Sequence, residues 1–175
     1  YAIQLLSGVL DKNAILVGDV GQNQMWSALN FTIFDDRKFL TSGGLGTMGY
    51  SLPAAIGAAI AAPDRQVVAT MGDGGFQMSF FELATLTQNK VKLIVLLFNN
   101  SGLGMVREMQ YKTYKAEYGV DLNTNPDFIK LADAYGIKAR RVFQDEELKE
   151  VFDEAIHYDG PFLIECIVDS KESTL

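Results

Sequence analysis

The sequence predicts an α/β protein: a doubly wound, mostly parallel six-stranded sheet with helices on both faces. Three observations carry this. Short apolar runs alternate along the whole chain with segments of helical periodicity. Two consecutive runs, Val67 to Met71 and Leu93 to Phe98, end in polar loops, Gly72-Asp73-Gly74 and Asn99-Asn100, with a helical pattern between them. Such a crossover returns the second strand parallel to the first. The final run, Phe162 to Val168, is nearly all apolar, as a parallel strand covered on both faces is.

Each element follows from its pattern. Leu5, Leu6, Val9 and Leu10 predict an opening helix, and Ala14 to Gly18 a strand. Gln22 to Leu29 reads as helix, Lys38 to Thr41 as strand, Leu52 to Ala61 as helix and Gln66 to Met71 as strand. Phe76, Phe80, Leu83 and Ala84 recur at i, i+4, i+7 and i+8, one face of a crossover helix. After the Leu93 strand, Leu103 to about Glu117 reads as helix, with Tyr111, Tyr114 and Tyr118 along it. Asn125-Pro126 predicts another helix start, as cap and first residue, with Phe128, Leu131, Ala132 and Tyr135 inward. Lys138 to Phe143 is a strand. Leu148, Val151, Phe152 and Ala155 mark a last helix, ended by Asp159-Gly160-Pro161.

Composition narrows the class. The 175 residues, 48% hydrophobic, suit one domain spanning 1–175. No run approaches the ~18 apolar residues of a membrane span, and no secretory leader is evident. The single cysteine, Cys166, allows no internal disulfide, so a cytoplasmic setting is the default. With 15 Lys+Arg against 22 Asp+Glu, a net charge of −7, the chain offers no basic surface to nucleic acid.

The two loops carry the chemistry. Both emerge at the carboxyl edge of the sheet, where open α/β sheets bind ligands. Asp73 and Asn100, 27 positions apart, present a carboxylate and an amide oxygen from neighbouring strands, a set that suits Mg²⁺. The Gly102 carbonyl supplies a third oxygen, leaving positions for a diphosphate and water. Gly74 and Gly75 lack a Cβ, so their amides can approach a phosphate. Lys90 and Lys92 lie at the far end of a strand of roughly 23 Å, while Arg107 is nearer. A phosphate oxygen 4 Å from Asp73 would be repelled by about 4 kcal/mol at an effective dielectric of 20; a bridging dication reverses the sign. Alone, Gly-Asp-Gly is a tight turn and Asn-Asn a helix cap. At matching strand ends they point to a metal-diphosphate site.

A rival reading stands beside this one. Gly44-x-Gly46-x-x-Gly49 fits the dinucleotide fingerprint, and Asp73 follows Gly49 by 24 residues, near where a ribose-binding acid belongs. Against it, Pro53 sits in the first helical turn, Asp73 is flanked by glycines, and Asn99-Asn100 goes unexplained. Other residues carry less. His157, near a helix end, suits a surface role. Cys166 reads as a core thiol beside Glu165, and Glu82 as a solvated helix residue. No hydrolytic triad has support. The tyrosines after Asn100 line a substrate channel or pack against a partner domain.

Gly72-Asp73-Gly74 followed by Asn99-Asn100 resembles the cofactor signature of thiamine-diphosphate enzymes. Two further segments, Val20-Gly21-Gln22-Asn23-Gln24-Met25-Trp26 and Leu40-Thr41-Ser42-Gly43-Gly44-Leu45-Gly46-Thr47-Met48-Gly49-Tyr50, are similar to the large subunit of acetolactate (acetohydroxyacid) synthases. The resemblance implies the thiamine-diphosphate-binding fold. It places Val20, Gly21, Gln22 and Asn23 against the diphosphate, with Gly72, Gly74 and Gly75 beside it. It puts the Gly46 carbonyl and Met48 amide on the aminopyrimidine, with the Met48 side chain wedged between the cofactor's rings. Asp73, Asn100 and Gly102 hold Mg²⁺. Met105 and Met109 face the substrate. The implied reaction decarboxylates pyruvate and joins the two-carbon unit to a second 2-keto acid. Two departures bear on this: Asn23 stands where the family usually has His, and Met109 where biosynthetic members usually carry Trp. Another thiamine-diphosphate decarboxylase or lyase, or a non-catalytic relative, therefore stays open.

The resemblance also implies a larger whole. Family members have three domains, and the glutamate that activates the cofactor comes from another domain across a dimer interface. No catalytic residue is therefore expected in this chain, which is inactive alone. A homo-oligomer (dimer or tetramer), a regulatory subunit and FAD belong to the same expectation.

Overall fold

The strands form where apolar residues alternate between two covered faces. The computed structural model describes residues 1–174. β1 (Ile15–Gly18), β2 (Lys38–Thr41), β3 (Val67–Gly72), β4 (Ile94–Asn99), β5 (Lys138–Val142) and β6 (Phe162–Ile167) make one sheet. Every pairing is parallel, in the order β2-β1-β3-β4-β6-β5. The sheet is wholly parallel and six-stranded, as the sequence predicts.

Period-2 alternation splits the core into two layers. Ile15, Val17, Val67, Ala69, Met71, Val95, Leu97 and Leu163 face one side. There they meet α3 (Ser51–Ala61), α4 (Asp73–Ser79), α5 (Leu83–Gln88) and α7 (Phe128–Ala134). Leu16, Val68, Ile94, Leu96, Phe98, Phe162, Ile164 and Cys166 face the other. That side is covered by α1 (Ala2–Val9), α2 (Gln22–Asn30) and α8 (Leu148–His157). On the first side the small residues Ala55 and Ala59 let α3 lie close to the sheet, and Phe76 and Phe128 meet edge to face at 5.5 Å.

Four boundaries differ from expectation. The crossover from β3 to β4 is not one helix: a 3₁₀ turn at Phe80–Glu82 separates α4 from α5. The inward stripe shifts with it, so Ala84 is exposed and Leu86 takes the core position. α6 (Gly104–Tyr114) stops short of Glu117, at a left-handed Lys115 (φ 54°). The chain there turns back, and segment 120–122 pairs antiparallel with 101–103: Leu103 N–H donates to the Val120 carbonyl and Leu122 N–H to that of Ser101, both at 2.8 Å. α7 begins at Phe128 with Asp127 as its cap, accepting from the Ile129 and Lys130 amides. Asn125-Pro126 therefore lies before the helix, and the Asn125 side chain is engaged elsewhere. β5 ends at Val142, leaving Phe143 exposed.

Candidate functional site

The order of strands creates the site. From β1 the chain passes to β2 on one side and then to β3 on the other, so the carboxyl ends of β1 and β3 flank a topological switch point. The loops leaving β1, β3 and β4 meet in a cleft there, open to solvent at its mouth. Val20, Gly21, Gln22, Asn23, Met48, Gly72, Asp73, Gly74, Gly75, Asn100, Gly102 and Met105 all line it. Trp26, Phe98, Leu103 and Val106 add apolar wall. Two expected residues are not brought in. Gly46 sits in an exposed loop with φ 62°, and Met109 is 63% exposed on α6.

The two loop tips converge. Gly72 pairs with Phe98 in register, so the residues beyond them leave the sheet side by side. Asp73, only 1% exposed, accepts the Gly74 N–H on Oδ1 at 3.1 Å and the Asn125 amide on Oδ2 at 2.6 Å. Burial pushes its carboxyl up; the Asn125 bond and the Gly74 and Gly102 backbone amides oppose that. Asn100 Oδ1 accepts the Gly102 N–H at 3.2 Å, and its Nδ2 donates to Gln22 Oε1 at 3.1 Å. One amide, that of Gly102, thus serves both side chains. Asp73, Asn100 and the Gly102 carbonyl offer only oxygens, the donor type a hard divalent cation takes. No cluster of three or more His, Cys, Asp or Glu suited to a metal occurs among the described residues, so a cation here depends on amide and carbonyl oxygens.

Anion-binding character comes from backbone rather than from basic side chains. α2, α4 and α6 all start at the cleft without a side-chain bond from their N-cap residues, although in α4 the Asp73 carboxylate takes the Gly74 amide. Uncapped helix starts present free N–H groups and the positive end of the dipole. Gly21 opens α2 at φ 135°, a conformation that favours glycine. Asn23 Oδ1 is buried there without a hydrogen-bond partner, an acceptor held ready for a donor. Arg107 does not serve a phosphate. Its guanidinium is buried and donates to Asp121 at 3.0 Å and to the Ser170 carbonyl at 2.8 Å, with Glu117 at 3.5 Å.

Asp19 and Asn125 were not singled out by sequence reasoning as site residues. Asp19, fully buried at the end of β1, accepts the Gly49 and Tyr50 N–H groups at 3.1 Å each. It thereby ties the loop carrying Met48 to β1. Burial raises its carboxyl pKa, with those amides opposing. It also explains Gly75: a Cβ there would collide with Asp19 Oδ2, so packing against Asp19 demands that glycine. Gly74 is likewise constrained by protein, since its Cβ would meet Leu103 Cδ2 at 2.7 Å. The dinucleotide reading fails on the same carboxylate. The glycine fingerprint leads from the edge strand β2 toward α3, and the Gly49 and Tyr50 amides just before that helix are already taken by the Asp19 carboxyl where a pyrophosphate would sit.

Residues 19–166 match the family described as thiamine pyrophosphate enzyme, C-terminal TPP binding domain. The chain belongs to this family. It is 47% identical over 165 residues to the "Probable acetolactate synthase large subunit" of Methanococcus aeolicus, covering 94% of this chain and 28% of that protein. It is 43% identical over 164 residues to the mitochondrial acetolactate synthase catalytic subunit of Saccharomyces cerevisiae, covering 94% of this chain and 24% of the relative. Against the acetolactate synthase isozyme 2 large subunit of Escherichia coli, identity is 38% over 177 residues, 99% of this chain and 32% of the relative. The chain thus spans about a quarter to a third of the length of these relatives.

Outside the cleft, this TPP-binding domain keeps plain roles for the other conspicuous residues. Cys166 is a core thiol, its pKa pushed up to about 12 by burial, with Asp145 and Glu165 adding to the rise. Glu82 accepts the Thr85 hydroxyl at 2.7 Å, and His157 lies 2.8 Å from the Asp153 carbonyl on an exposed helix end. No helix among the described residues is long and apolar enough to cross a membrane.

Proposed function

We propose that this domain supplies the diphosphate and metal half of the active site of an acetolactate synthase large subunit. The observation that carries the reading is the convergence of Asp73, Asn100 and the α2 N-terminus on one cleft at the sheet's switch point. In this reading Asp73, Asn100 and the Gly102 carbonyl hold Mg²⁺. The amides of Val20 to Asn23, with those of Gly72, Gly74 and Gly75, receive the diphosphate. Asn23 occupies the family's histidine position, and its unpartnered Oδ1 is an acceptor for a polar group there. The Met48 amide takes the aminopyrimidine, and the Gly46 carbonyl, exposed outside the cleft here, would join it only once that loop is covered in the complete site. Met48 wedges between the rings, a role supported by its reach over the metal loop, where its Cε comes within 3.5 Å of a Cβ built on Gly74. When bound, thiamine diphosphate supplies the electron sink for decarboxylating a 2-keto acid. This chain's residues bind, orient and shield that group; Met105 borders the 2-keto acid, and Met109, outside the cleft of this domain, would do so only within the complete site.

The remainder of the enzyme completes the site: a three-domain subunit, with the activating glutamate from another domain across a homo-oligomer interface. The exposed apolar residues Leu45, Met78, Phe81 and Met109 suit such a covering surface. A regulatory subunit, FAD in the middle domain and a cytoplasmic setting belong to the same proposal. Relatives named as mitochondrial or chloroplastic show that the compartment varies among similar proteins. The test is to express the full-length protein and incubate it with pyruvate, thiamine diphosphate and Mg²⁺. Acetolactate as the main product supports the assignment. Acetaldehyde alone would move the protein to a decarboxylase, and no cofactor-dependent consumption of pyruvate would overturn the reading.

A further inference from the structure

Asp73 is held in place by a residue 52 positions away in sequence. The two donor bonds of the Asn125 amide go to Asp73 Oδ2 at 2.6 Å and Asn99 Oδ1 at 3.2 Å, and its oxygen accepts from Gln77 Nε2 at 2.8 Å. All three bonds that fix the amide's orientation are therefore made within the protein. Asn99, neighbour of Asn100, accepts the Ser101 N–H at 3.1 Å and donates to Glu165 Oε1 at 2.7 Å. Glu165, 1% exposed on β6, takes Arg141 Nε on its other oxygen at 2.6 Å. Arg141 then donates to Asp127 Oδ1 at 2.8 Å, and Asp127 caps α7. Asn125 and Asp127 flank Pro126, so these bonds close into a ring: Asn125, Asn99, Glu165, Arg141, Asp127.

We propose that Asn125 is a positioning residue for the Asp73 carboxylate, and that this ring fixes its place between the tips of β3 and β4. The inference rests on reading Asp73 as a ligand of a divalent cation. Free, a carboxylate rotates; here one oxygen is pinned by an amide that the rest of the ring immobilises. Glu165 suits that task because it is buried with both oxygens engaged, by Asn99 and by the half-buried Arg141, and a buried carboxylate so held is costly to displace. Asn99 explains why the loop needs two asparagines: the first anchors the turn, and the second faces the cleft. Outer partners that orient a metal ligand typically contribute 10–100-fold to metal affinity.

The test uses the full-length apoprotein, titrated calorimetrically with Mg²⁺ at saturating thiamine diphosphate, alongside the melting temperature of each metal-free variant. Asn125→Ala is expected to raise the Mg²⁺ dissociation constant by about 10–100-fold with only a small change in melting temperature. Gln77→Met frees the Asn125 amide without touching the Asp73 carboxylate, losing only a long 3.4 Å bond to the Asp73 backbone carbonyl; it should weaken Mg²⁺ binding less and in the same direction. Asp127→Ala cuts the ring at its far end and removes a helix cap, so it should lower the melting temperature more than it weakens Mg²⁺. Wild-type Mg²⁺ affinity in both Asn125→Ala and Gln77→Met would overturn the proposal. So would weakening that simply follows melting temperature across all three variants. Should Asn125→Ala fail to fold, Gln77→Met alone decides. Asp73→Asn separates the two levels: if it and the wild type bind Mg²⁺ equally, the metal reading itself falls; if it alone loses Mg²⁺, only the positioning role does.

Discussion

At the residue scale, two buried carboxylates govern the site, and they do opposite work. Asp19 is structural: its oxygens satisfy the Gly49 and Tyr50 amides. Asp19→Ala should destabilise the fold by about 1–3 kcal/mol, the usual cost of leaving a buried N–H without its acceptor. Equilibrium denaturation of the full-length protein checks this, and an unchanged or raised midpoint would contradict it. Asp73 instead costs stability when no cation is present. Burial raises its folded-state pKa above the unfolded value near 3.8. Its contribution is then full below about pH 3.8 and is lost as pH rises through the folded value. Asp73→Asn should therefore raise the melting temperature in EDTA at neutral pH, with the gain shrinking toward pH 4. Mg²⁺ with cofactor should stabilise only the wild type. A variant less stable than wild type in EDTA would refute this sign. Asp73 was legible because local turn chemistry marks it. Asp19 and Asn125 act through partners 30 and 52 positions away, which no local pattern encodes. Asn125-Pro126 in fact mimics a helix start; the cap moved two residues on because Asp73 and Asn99 engage the Asn125 side chain.

At the element scale, the strands were more legible than the helices. An apolar run bounded by Gly, Asn or Pro fixes a buried strand closely, and all six predicted runs end within a residue of the observed strands. β2 differs in being an edge strand with only its alternate residues half-buried. Helical periodicity places a helix but not its interruptions. The 3₁₀ turn at Phe80–Glu82 rotates the inward face, bringing Leu86 to the core in place of Ala84. The early stop of α6 depends on the antiparallel bridge of Gly102 with Asp121, a pairing that also braces the loop beside Asn100. Packing of α7 should matter to the whole domain, because fully buried Phe128 meets Phe76 on α4. Phe128→Ala should cost about 3–5 kcal/mol. A loss below 1 kcal/mol in denaturant would mean that α7 is not part of the cooperative core.

At the scale of the whole molecule, function follows from strand order. The reversal between β1 and β3 opens the crevice, and parallel pairing sends the loops after β1, β3 and β4 to one edge. The sequence marks these loops without marking which strands are neighbours, since an apolar run carries no label for its partner. The net charge of −7 agrees with the proposed site, which would hold an anionic ligand through a dication and helix N-termini rather than through Lys and Arg. The account therefore stands on metal-dependent cofactor capture. Calorimetric titration of the full-length protein with thiamine diphosphate, with and without Mg²⁺, tests it most directly. Tight binding only with Mg²⁺, lost in both Asp73→Ala and Asn100→Ala, is the predicted result. Equal binding without Mg²⁺, or undiminished binding in those variants, would contradict it.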